Sequence, residues 1–145
     1  SIFNQIDVHD EIIKPSQVIQ DFIDGLNKKF QLQIVFCDIN PDKLSDVKIN
    51  KRILTEIVKR LVGCVFKIND DMKIKISISD DHLDRLAFIF YSENKIDKDI
   101  LESQIEKSAV LPMLDSQGLM LETVNGNNGS RIVLLVPNYR VIQKR

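Results

Sequence analysis

The chain has 145 residues, and its 20 basic and 21 acidic side chains leave a formal net charge of −1 at pH 7. This length predicts one ordinary domain with a sizeable core. The balanced charge excludes a long-range field that would favour nucleic acid or an anionic membrane. No apolar stretch approaches the roughly 20 residues needed to span a bilayer, so we expect a cytoplasmic protein, or the cytoplasmic part of a larger one. Cys37 and Cys64 both lie in apolar runs, which favours structural thiols over a disulfide or redox pair.

The first third of the chain predicts two strands and a helix. Residues 1–10 are polar and are interpreted as a lead-in. Residues 11–14 form a short strand that ends at Pro15, and Ser16 is expected to cap the following helix. That helix runs to about Phe30, because its apolar residues recur at helical spacing: Val18, Ile19, Phe22, Ile23 and Leu26. A β-branched and aromatic run then predicts a strand and a turn, at residues 33–39 and 40–42.

The middle of the chain contains the best-patterned helix. Residues 47–49 are expected to form a very short strand edge, and Asn50 can cap the helix that follows. Its apolar residues repeat in pairs through four turns: Ile53, Leu54, Ile57, Val58, Leu61, Val62, Val65 and Phe66. This wide apolar face predicts a main wall of the core.

The remaining residues predict strands and two shorter helices. Strict alternation indicates a strand with one wet face, and the next run is apolar on both faces, which indicates a central strand. Pro112 fits only the first turn of the second short helix, and Gly118 ends it. In chain order we predict strands over 73–80 and 86–91, helices over 97–107 and 110–116, and a hairpin of strands 119–124 and 131–136. The tail from Asn138 is expected to be loose.

This order of elements predicts an α+β two-layer sandwich, with helices packed on one face of a mixed, mostly antiparallel sheet of five or more strands. Within it, residues 52–68 resemble the N-box helix of the ATPase domain of bacterial sensor histidine kinases. The matching positions are Leu54, Glu56, Ile57, Leu61 and Lys67. Residues 41–46 resemble the family's entry into that helix, and residues 108–137 resemble its closing helix and glycine-turned hairpin. The resemblance implies a domain over 11–137, with 1–10 as a linker and 138–145 as a basic tail.

The positions that bind nucleotide in that family differ in this chain. Arg60 and Cys64 align with two asparagines that contact phosphates and magnesium, and neither side chain offers an oxygen ligand. Tyr91 aligns with the aspartate that accepts the adenine amino group, and Glu93 and Lys95 replace two glycines. The family's second glycine box lets backbone amides approach phosphate. It cannot form here, because no glycine lies between Gly63 and Gly118.

The resemblance therefore implies a pseudo-ATPase module of two-component signalling that binds no ATP, metal or other cofactor. Its expected partner is a response-regulator receiver domain or a histidine-bearing helical domain, with a homodimer formed only through a segment outside this chain. One alternative is a divergent catalytic domain that still binds ATP. Another is a ligand-binding or dimerisation domain that uses the vacated pocket, which a large apolar cavity beside Arg60 and Cys64 would favour.

Three further groups of residues were considered as sites. Lys51, Arg52, Lys59 and Arg60 form a basic strip that could dock an acidic partner, although a solvated helix face has the same pattern. Acidic residues could bind a cation or mark the start of a helix; they are Glu93, Asp97 and Asp99. The two histidines are interpreted as solvated loop residues, because neither lies in the helical context of a phosphoacceptor; they are His9 and His82.

Overall fold

A computed structural model describes residues 9–30, 33–36, 44–68, 73–82, 85–126 and 129–142. The predicted turn at 40–42, Cys37, most of the lead-in and the last three residues lie outside these ranges. The described elements are β1 (Glu11–Ile13), α1 (Pro15–Phe30), β2 (Gln33–Phe36), β3 (Asp46–Ile49), α2 (Lys51–Ile68), β4 (Lys73–His82), β5 (Arg85–Ser92), α3 (Lys98–Lys107), α4 (Leu111–Gln117), β6 (Met120–Gly126), β7 (Gly129–Val136), a 3-10 turn (Asn138–Arg140) and β8 (Val141–Ile142).

Two sheets organise these elements. The larger has the strand order β2-β4-β5-β7-β6, in which β2 and β4 run parallel and the other neighbours are antiparallel. The smaller is antiparallel and has the order β1-β3-β8. The predicted α+β class with a mixed, mostly antiparallel sheet is confirmed. Strand β5 is central, as its apolar character on both faces indicated.

The core lies between the helices and one face of the larger sheet. Alternate residues of the strands point into it and are fully buried; they include Ile76, Phe88, Phe90 and Leu134. The wide apolar face of α2 supplies the opposite wall, with Leu54, Ile57, Val58 and Leu61 at 0% exposure. None of the described helices is long and apolar enough to cross a membrane.

The starts of the two long helices test the predicted caps. Asn50 caps α2 as predicted, because its Oδ1 accepts a hydrogen bond from the Ile53 amide at 3.1 Å. The prediction that Ser16 caps α1 was wrong. Pro15 is already helical and the Lys14 carbonyl accepts the first bonds, since proline is preorganised for the first helical residue and has no amide to leave unpaired.

The predicted loose tail is wrong as far as Ile142. Strand β8 pairs with β3, with Val141 opposite Val47. Arg140 explains why this segment is held. Its Nε donates to the Gln117 carbonyl at 2.6 Å, and its Nη1 donates to the Lys48 carbonyl at 3.1 Å and to Asp10 Oδ2 at 3.2 Å. We call these contacts the Arg140 clasp; they join the end of α4, strand β3 and the residue before β1.

Candidate functional site

The N-box-like helix α2 places Arg60 and Cys64 against the C-terminal end of α3. The Nη1 of Arg60 donates to the Ser108 carbonyl at 2.8 Å, and its Nε donates to Glu56 Oε1 at 3.1 Å. One turn further along, the Cys64 thiol donates to the Gln104 carbonyl at 3.5 Å. Both side chains are therefore bonded to a neighbouring helix of the same chain, at positions that the sequence resemblance aligns with two asparagines.

The contact balances charge at the C-terminal end of α3. The last carbonyls of a helix carry a partial negative charge, roughly half an elementary charge in total. Here the Ser108 carbonyl, at this end of the helix, accepts a hydrogen bond from the positively charged Arg60 side chain. Arg60 therefore stabilises the end of α3.

Ala109, directly after α3, has a strained backbone. Its φ of 59° lies in the left-handed region, and its amide donates to the Glu106 carbonyl at 3.1 Å. This conformation ends a helix well but costs a residue with a Cβ about 1–2 kcal/mol. The strain lies one residue beyond Ser108, the residue to which Arg60 is bonded.

We therefore expect Ala109→Gly to stabilise the protein. Glycine removes the Cβ clash but adds freedom to the unfolded chain, so the net gain is about 1 kcal/mol, or a rise in Tm of about 2–4 °C. Thermal denaturation of the two proteins measures the change. Ala109→Val is the matched control and should be destabilised, because a β-branched residue tolerates positive φ least. A lower Tm for the glycine variant would contradict the assignment of strain to this residue.

Tyr91 is not brought together with Arg60 and Cys64. It lies opposite Lys75 on β4 and Arg131 on β7, on the face of the larger sheet opposite to that of Phe88 and Phe90. The Lys75 ammonium is 6.0 Å from the centre of the Tyr91 ring. The sequence alignment placed Tyr91 at the position of the adenine acceptor, but its side chain points away from the helices.

Ser92 is the residue of this segment that faces the helices, and the sequence analysis missed it. Because side chains alternate along a strand, Ser92 follows Phe88 and Phe90 on the inner face, and it is 2% exposed. The alternation in Leu86-Ala-Phe-Ile-Phe-Tyr-Ser could have identified it.

The loop that replaces the first glycine box is anchored to the hairpin of β6 and β7. The Ile96 amide donates to the Ser130 hydroxyl at 2.7 Å, and that hydroxyl donates to Asn125 Oδ1 at 2.8 Å. Gly129, with φ of 144°, lies against the backbone carbonyls of Ser92 and Glu93, where a Cβ would collide. The Ile96 amide and the Ser130 hydroxyl are thus hydrogen-bonded within the chain.

The two residues that replace the loop glycines are exposed. Glu93 makes an ion pair with Lys75, with 3.7 Å between Oε1 and Nζ, and Lys95 is exposed nearby. Glu93 therefore lies on the same face of the sheet as Tyr91, whereas Arg60 and Cys64 contact α3.

The acidic residues after the loop mark the start of a helix. Asp97 Oδ1 accepts hydrogen bonds from the amides of Asp99 and Ile100 at 2.9 and 3.2 Å, which is an N-cap. Among the residues that the structure describes, no group of three His, Cys, Asp or Glu side chains could hold a metal ion. The helix-start interpretation of Asp97 and Asp99 is confirmed.

The predicted basic strip is reduced to three side chains. Lys51, Arg52 and Lys59 are exposed along α2, whereas Arg60 is bonded to Glu56 and Ser108. The exposed three are the residues of the strip that can meet a partner. The histidines lie elsewhere and off the helices, His9 before β1 and His82 at the end of β4.

The fold is similar to that of histidine kinase catalytic domains. The catalytic domain of histidine kinase ThkA, in a nucleotide-free form, superposes with a TM-score of 0.68 at 16% identity, over 90% of this chain and 97% of that one. The histidine kinase domain of the E. coli osmosensor EnvZ gives 0.65 at 14%, over 92% and 91%. Full-length ShkA in complex with AMPPNP gives 0.72 at 10%, over 96% of this chain and 32% of ShkA. No protein-family model and no curated protein sequence matches the chain.

Proposed function

We propose that this chain is a degenerate catalytic domain of two-component signalling, which docks a protein partner and does not bind ATP. The observation that carries the proposal is the pair of bonds from Arg60 and Cys64 to α3, at 2.8 Å and 3.5 Å. A phosphate at these two side chains would meet the negative end of α3, whereas a nucleotide site needs amide donors, and this supports the proposal.

The replacement of other nucleotide-binding residues of the family also supports the proposal that the chain does not bind ATP. Polar contacts are worth roughly 1–3 kcal/mol each, and every 1.4 kcal/mol is about a tenfold change in affinity. Both asparagines, the adenine acceptor and the glycines of both boxes are replaced or missing in this chain. The combined loss would move a micromolar nucleotide site beyond the millimolar range.

Calorimetric titration with ATP and magnesium tests the first half of the proposal. We expect no saturable heat up to millimolar nucleotide, and no signal from a fluorescent ATP analogue. Full-length ShkA, which was solved in complex with AMPPNP, is the positive control. Saturable binding at micromolar ATP would overturn the proposal and favour a divergent catalytic domain.

Titration of labelled signalling domains tests the second half. The probes are response-regulator receiver domains and, separately, histidine-bearing helical domains from the same organism. Because exposed charges steer and orient protein association, the triple reversal Lys51→Glu, Arg52→Glu and Lys59→Glu should weaken binding about tenfold. The control reverses two exposed lysines of α3, Lys98 and Lys107, and should bind like the unmodified chain. Absence of binding to every probe would refute docking.

A further inference from the structure

Among the residues that the structure describes, the outer edge of β1 has no partner strand. Strand β1 pairs with β3 on one side, and within the described ranges no strand pairs with its other side. Ile12, in the middle of β1, is 63% exposed. An unpaired strand edge presents backbone amides and carbonyls that an extended segment of another chain can use as a template.

A groove of about 190 Å³ is lined by residues of β1 and by residues at the starts of α1 and α2. Its apolar wall consists of Ile12, Ile13 and Val18. An engineered apolar cavity of ~150 Å³ is large enough for benzene. The groove therefore has room for one apolar side chain of a strand that is paired with β1.

The rim of the groove favours a negatively charged segment. Lys14 and Lys51 line it, against Glu11 as its one acidic lining residue, and all three are exposed. The nearest carboxylate on α1, Asp21, accepts a hydrogen bond from Gln17 at 2.8 Å. Helices α1 and α2 both begin here without an acidic residue in their first turn, so their positive ends add to the charge of the lysines.

We propose that this groove binds an extended peptide segment of a protein partner, in which apolar side chains alternate with carboxylates. The segment adds as a strand to β1. One apolar side chain enters the groove over Ile12 and Val18, and carboxylates face Lys14 and Lys51. This inference rests on the proposed docking function and extends the basic surface of α2 at its N-terminal end.

The test uses NMR titration of the full isotope-labelled chain with two synthetic peptides, acetyl-EVEVEV-amide and acetyl-KVKVKV-amide. The acidic peptide should shift the amides of Glu11 to Ile13 and of Lys51, and the basic peptide should not. Ile12→Asp should weaken binding of the acidic peptide about tenfold. Ile142→Asp is the matched control, because Ile142 is an exposed residue, at 39%, on the opposite edge strand of the same sheet; it should bind normally.

A charge reversal makes the test decisive. The double variant Lys14→Glu and Lys51→Glu should lose the acidic peptide and gain the basic one. The inference is overturned if neither peptide shifts the β1 amides at millimolar concentration, if both shift them equally, or if the reversal leaves the preference unchanged. Binding of a receiver or helical domain with no effect at β1 would refute this inference alone, whereas peptide binding without any domain binding would refute the proposed function alone.

Discussion

Replacing Phe88 by alanine should lower the free energy of unfolding by about 3–5 kcal/mol. Phe88 is fully buried at the centre of β5, between Ile78 on β4 and Leu134 on β7. Truncation leaves a cavity in the layer where the larger sheet meets the helices, and a packed interior relaxes only partly around such a cavity. The loss is a large share of the ~5–15 kcal/mol that stabilises a typical domain.

Urea denaturation measures this loss. The matched control is Val124→Ala on the edge strand β6, where the side chain is 38% exposed, and it should change the free energy of unfolding by no more than about 0.5 kcal/mol. A Phe88→Ala protein with a midpoint close to that of the unmodified chain would show that β5 is not at the centre of the core.

Replacing Arg140 by alanine should cost about 2–4 kcal/mol. The substitution removes three hydrogen bonds of a charged donor, and it leaves the carbonyls of Gln117 and Lys48 without this partner. Arg140 is only 13% exposed in its ion pair with Asp10, so water does not fully replace the guanidinium. Urea denaturation measures the cost, and hydrogen exchange should show faster opening of the β3 and β8 amides.

Arg140→Lys separates charge from geometry. Lysine keeps the positive charge but cannot reach three acceptors with a planar fork, so it should recover less than half of the loss. Asp10→Asn is a second control and should cost about 0.2–1 kcal/mol. It removes only the ion pair with Asp10, whose side chain is 37% exposed, and keeps both hydrogen bonds to carbonyls. Full recovery by lysine would show that charge alone holds the tail.

The elements that could be predicted from sequence are those set by local patterns. Helix α2 follows from its apolar repeat and the Asn50 cap, and β5 follows from an uninterrupted apolar run. The end of α4 follows from Gly118, which has a φ of 68°, in the left-handed region that favours glycine. Strand β8 could not be predicted, because it has two residues and owes its structure to β3 and the Arg140 clasp.

The candidate site could likewise be predicted only in part from the sequence. The resemblance of an ordered set of motifs predicts which side chains stand at the family's nucleotide-binding positions, and that alignment stays a prediction. It does not show that Arg60 and Cys64 bond to α3, since their partners lie 48 and 40 residues away in the chain. It also does not show that Tyr91 lies on the face of the larger sheet opposite to that of Phe88 and Phe90, since that depends on the register of β5 with β4 and β7.

The Arg140 clasp also bears on the order in which the protein folds. It links residues 130 positions apart, and β8 adds only two residues of pairing to β3. A contact across so long a loop costs chain entropy before it adds its own free energy, so we expect the clasp to form after the folding transition state. Weakening the clasp should therefore speed unfolding and leave the folding rate nearly unchanged. The lifetime of the native state, more than the speed of reaching it, depends on this one arginine.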